Sequence, residues 1–101
     1  MNNILLNYTM ANKQADQIED LASRVRKVSS DYSALIQKLS AEWKSDSSGE
    51  YFAKCDLLRT NIQNTADDLL KVSGNVRTTA ARILKAEKEA EEIARIREAG
   101  I

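Results

Sequence analysis

Glu42-Trp43-Lys44-Ser45-Asp46-Ser47-Ser48-Gly49-Glu50 is the one stretch of this chain in which turn-forming and capping residues cluster. On either side the sequence reads as long amphipathic helix. Ser and Asp favour turns because their short polar side chains bond nearby backbone, and Gly accepts positive φ. Ser47 and Glu50 have the spacing of a capping box, in which each side chain satisfies an orphan backbone N–H at a helix start. The stretch therefore predicts the bend of an all-α helical hairpin, with helix over about 4–43, bend over about 44–48 and helix over about 48–97.

Working outward from the bend, both arms carry a repeat of alternating four- and three-residue steps. In the first arm it runs from Ile4 through Tyr8, Ala11, Ala15, Ile18, Ala22, Val25, Ser29, Tyr32, Ile36 and Leu39 to Trp43, with Ser29 the only break. In the second it runs through Tyr51, Cys55, Leu58, Ile62, Thr65, Leu69, Val72, Val76, Thr79 and Ile83, with Phe52 beside it. Such a repeat packs helices at a shallow angle, knobs into holes. Ser73-Gly74-Asn75 interrupts the second arm, where an interior Gly costs about 1 kcal/mol relative to Ala. The apolar phase crosses it unshifted, so one continuous helix is expected; a short third helix after Gly74 is the alternative.

Length and composition narrow the function classes. A chain of 101 residues makes one domain, 1–101. Fifteen Lys and Arg against 15 Asp and Glu give zero net charge, so no bulk attraction to nucleic acid or anionic membrane is expected. Histidine is absent and there is one cysteine, Cys55, so neither a structural zinc site nor an intrachain disulfide is expected. No nucleotide-binding glycine motif occurs. Asp46–Glu50 lacks the alternating ligands of a calcium loop. The carboxylates lie along solvated helix faces rather than in a cleft. We expect no enzyme, no cofactor and no metal. The N-terminal residues have neither the basic start nor the long apolar run of a secretory signal, and no membrane-spanning segment is expected.

Both apolar stripes are wider than a two-helix seam needs. Ile18, Val25, Tyr32, Ile36 and Leu39 on the first arm, with Tyr51, Phe52, Leu58, Ile62, Leu69 and Val76 on the second, form the expected core or dimer face. A thin hairpin cannot cover aromatics that each bury ~150–250 Å². A second hairpin packed alongside, making a four-helix bundle, is the simple solution. It is either a homodimer or a heterodimer with a similar small helical protein.

The combination of length, two helices and a Trp-led central bend resembles the WXG family of small ESAT-like proteins exported by type VII secretion. The family's Trp-x-Gly motif stands here as Trp43-Lys44-Ser45, followed by Asp46-Ser47, similar to a Trp-x-Ser-Asp variant of the family. With Ser at position 45, the bend is expected to lean on Asp46 and Gly49, since positive φ at Ser is costly. The resemblance implies a secreted protein without a cleavable signal, cytoplasmic before export, recognised by a membrane-bound ATPase of the type VII system. It also implies an export determinant near the end of the second helix, a Tyr four residues before an acidic residue. Here that spacing joins Ile83 to Glu87, with Leu84 beside them and no Tyr. The alternatives are a cytosolic adaptor for a larger secreted helical toxin and a generic coiled-coil protein.

Overall fold

The computed structural model describes residues 2–100; the expected domain limits at Met1 and Ile101 lie outside them. These residues form two helices, α1 (Asn2–Glu42) and α2 (Ser48–Ala99), joined by residues 43–47, and no strand occurs among them. Arg77 of α2 reaches Asp16 and Glu19 of α1, while Arg26 of α1 reaches Asp67 of α2. Numbers rise on one helix as they fall on the other, so the two form an antiparallel hairpin. The molecule is 85 Å long and 17 by 11 Å across. At 1.5 Å per residue α2 alone spans about 78 Å of that.

The helices outrun the expected 4–43 and 48–97 by about two residues at their outer ends, while α1 stops one residue sooner, at Glu42. Trp43 has left the helix, although its N–H still donates to the Leu39 carbonyl at 2.8 Å. α2 runs through Gly74 without a break, so no third helix occurs among the described residues. Gly74 is exposed, and its neighbour Ser73 anchors its hydroxyl on the Leu70 carbonyl at 2.9 Å.

The bend is closed differently from the expected capping box. Ser47 is the N-cap of α2 but has helical φ and ψ (−91°, −9°), and its side chain caps nothing. Ser45 and Ser48 do the work instead. The Ser48 hydroxyl donates to the Ser45 carbonyl at 2.7 Å and accepts from the Ser45 N–H at 3.3 Å. No described residue adopts positive φ, so Ser at position 45 carries no such strain, and Gly49 lies inside the first turn of α2.

The seam between the helices is made of small residues. Ala15, Ala22 and Ser29 recur every seven residues on α1; Cys55, Ala66 and Ser73 answer them on α2. Among the described residues these six are the buried side chains. Two rods touch along a line, and only a residue on that line is covered from every side. Small side chains there let the rods approach closely. Larger neighbours such as Ile18, Val25, Ile36, Ile62, Leu69 and Val76 flank the line and stay half-buried.

Candidate interaction surface

The seam divides each helix into two sides, and the sequence treats them oppositely. A helix turns about 100° per residue, so the residue before a seam position faces one side and the residue after it faces the other. On α1 the residues before Ala22, Ser29 and Ile36 are Leu21, Val28 and Leu35; on α2 Val72 precedes Ser73. Because the helices are antiparallel, the same rotation from the seam brings both sets out on one side of the hairpin. Met10 and Leu39 of α1, with Tyr51, Leu58 and Ile83 of α2, fall on that side by the same geometry. All of these are exposed, Val28 at 56% and Leu35 at 65%. This is a continuous apolar face, well beyond the scattered exposed leucines of an ordinary surface.

Along most of its length the other side is polar, although the exposed Leu5 near the start of α1 falls on it by the same geometry. Asp16 follows Ala15, Ser23 follows Ala22, Ser30 follows Ser29 and Asp67 follows Ala66. The three ion pairs that cross between the helices among the described residues, Arg77 with Asp16 and with Glu19 and Arg26 with Asp67, lie here. The Arg77 guanidinium donates to Asn12 at 3.1 Å, to Asp16 at 2.5 Å and to both oxygens of Glu19 at 3.0 Å. This hold from Arg77 lowers the Glu19 pKa, and the two carboxylates raise that of Arg77. The Arg26–Asp67 pair, at 3.0 Å, adds a second tie nearer the middle.

At the bend three rings meet. Trp43 lies 5.0 Å from Tyr51 and 5.6 Å from Phe52, centroid to centroid, and Tyr51 lies 5.6 Å from Phe52. The tilted and edge-on geometries suit aromatic quadrupoles. Of the other expected bend residues, Ser45 closes the turn, Asp46 is exposed and Gly49 stands in α2. Just below, hydrogen bonding with the buried Cys55 thiol pushes the Tyr32 phenol up to about 12 and raises that of Tyr51. Cys55 is free and 5% exposed.

At the open end a groove is lined by Ile4, Tyr8 and Ala11 of α1 and by Ile83, Leu84 and Glu87 of α2. The expected export segment thus sits beside the start of α1. Ile83 and Glu87 are exposed and Leu84 is half-buried. The sequence placed Tyr8 only in the helical repeat; the fold sets it in the same groove as Glu87. Beyond Glu87, α2 continues past the start of α1 as a single charged helix carrying the exposed Ile93 and Ile96.

Among the described residues no acidic, His or Cys cluster could hold a metal, and no helix is long and apolar enough to cross a membrane. No family model, curated protein or solved structure matches the chain.

Proposed function

We propose that this chain is a small subunit of type VII secretion, a substrate or co-secreted partner that works by protein–protein contact and not by catalysis. The observation that carries the reading is the division of the hairpin into one apolar and one polar face, with the Trp43 cluster at its bend. A hairpin whose fully buried side chains are alanines, serines and one cysteine has little core of its own. Its large apolar side chains are left for a partner. A second hairpin of similar length placed on the apolar face makes a four-helix bundle with an ordinary core.

In an antiparallel bundle the Trp43 bend of one hairpin lies near the end of α2 of the other. The two features that the WXG resemblance connects with export, the bend and the segment Ile83–Glu87, would then stand side by side. Tyr8 supports this use of the segment, because it supplies from α1 an aromatic ring that the α2 spacing lacks. Recognition by the membrane-bound ATPase of the system would read this composite end.

The test is export. The chain is produced in its native cell, with and without the system's ATPase, and culture supernatant is compared with cell lysate. Supernatant protein that disappears when the ATPase is lost is the expected result. Equal release in both strains would refute the assignment.

A further inference from the structure

The two arms that meet at the open end differ in what keeps them helical. Residues 2–11 of α1 include Asn2, Asn3, Asn7, Tyr8 and Thr9, all weak helix formers, and the first turn of α1 has no acidic residue to complement its dipole. Residues 80–99 of α2 are Ala, Leu, Glu, Lys or Arg at seventeen of twenty positions, the strongest helix formers. An ion pair between Glu92 and Arg95 adds to them along the helix surface. Each arm continues a longer helix, so neither has to nucleate. Separated from one another, the arm of α2 would propagate its helix and the arm of α1 would lose it.

Little joins the two arms. Toward this end the last buried seam residues are Ala15 on α1 and Ser73 on α2. Asn12, Asp16 and Glu19 all accept from Arg77, and among the described residues no ion pair or hydrogen bond crosses between the helices beyond Asn12. Past that point the arms share the groove lined by Ile4, Tyr8 and Ala11 against Ala80, Leu84 and Glu87, of which five are half-buried and Glu87 is exposed. Leu5, Leu6 and Met10 are more than half exposed and gain little from the packing.

We propose that residues 2–11 are a strap, closed in this structure over the inner face of α2 and able to lift and unwind as one unit, with the Arg77 clamp as its stop. When the strap lifts, α2 keeps its helix. Ala80 and Leu84 then open beside Ile83 and Glu87, and the end of α2 can be gripped all round. The strap itself follows from packing and helix propensity. Its use as a cover for the export segment rests on the reading proposed above.

The experiment is hydrogen exchange of the purified full chain, followed amide by amide by NMR. Residues 6–11 are compared with residues 15–29 and 82–92, since the first four N–H groups of α1 lack intrahelical acceptors in any case. The expected result is one group rate for 6–11, at least about 100-fold faster than 15–29 and about tenfold faster than 82–92, with a step at Asn12. A strap region as slow as 15–29, an end of α2 as fast as the strap, or a smooth gradient from Leu6 to Glu19 would each overturn the proposal. Arg77→Gln should carry the step from Asn12 to beyond Glu19; an unmoved step overturns the clamp as stop. Asn3→Glu with Thr9→Ala changes two exposed positions to favour helix in the strap alone. It should slow exchange of 6–11 about fivefold and leave 15–29 unchanged. In the native cell the same variant should be exported more slowly by a similar factor. Undiminished export overturns the cover and leaves the export reading standing. Release of the unaltered chain that is indifferent to the ATPase refutes that reading, and the exchange pattern then decides the strap by itself.

Discussion

Ser29 sits in the seam at 1% exposure, and its hydroxyl has no hydrogen-bond partner. Its counterpart Ser73 bonds the Leu70 carbonyl. A buried hydroxyl without a partner costs free energy, and Ala fits the same space with a higher helix propensity. Ser29→Ala should therefore raise stability by about 1 kcal/mol, read as a higher urea midpoint; a lower midpoint would mean that the hydroxyl finds a partner in solution. Trp43 is the opposite case, a large side chain held at a tip and only half-buried. Removing a core Trp costs about 3–5 kcal/mol. Here the ring is covered on one side by Tyr51 and Phe52, so Trp43→Ala should cost the isolated hairpin less, about 2 kcal/mol. The same variant measured for export separates packing from recognition: little loss of stability with complete loss of export would assign Trp43 to recognition.

At the scale of the element, α2 is one helix because its apolar phase crosses Gly74 unbroken. A Cβ built on Gly74 meets nothing within 4 Å. Gly74→Ala should thus stabilise the chain by about 1 kcal/mol, the ordinary difference in helix propensity. A destabilised variant would show that the backbone there needs a conformation Ala cannot take. Arg77 ties the two helices together through Asp16 and Glu19. Glu19 has its pKa lowered by this hold, so the stability it contributes is fully present above its ordinary value of 4.5 and is lost as pH falls through the folded value. Melting temperature should fall on acidification below that point, and Arg77→Gln should flatten this part of the profile. An unchanged acid profile in Arg77→Gln would place the clamp elsewhere.

For the whole molecule the deciding property is that its two sides differ. One side carries the ion pairs that join the helices, and the other leaves large apolar side chains exposed. Glu87 belongs to the open end, where it shares a groove with Tyr8 of α1. Glu87→Gln keeps shape and removes charge at an exposed position, so stability should change by no more than about 0.5 kcal/mol. If the export machinery reads this end, the variant should fold and assemble normally yet accumulate inside the cell. Normal export, with any partner's own signal disabled, would remove Glu87 from the determinant.

What the linear sequence determined here is what short-range chemistry can determine. The clustering of Ser, Asp and Gly after Trp43 located the bend, and an unshifted apolar phase kept α2 whole across Gly74. The breadth of the stripes announced that two helices would not cover them. Only the tertiary structure decided the rotation of each helix about its axis. A broad stripe offers several lines along which two rods can touch, and the line used here is Ala15, Ala22 and Ser29 against Cys55, Ala66 and Ser73, where small side chains allow the closest approach. That rotation put Leu21, Val28 and Leu35 outside, paired Arg77 with Asp16 and Glu19, and set Tyr8 and Glu87, 79 positions apart in sequence, in one groove. The cap was settled in the same way. Ser47 with Glu50 and Ser45 with Ser48 are both locally sound, and the chain path from Trp43 into α2 selected the second, because it set the Ser45 carbonyl within 2.7 Å of the Ser48 hydroxyl.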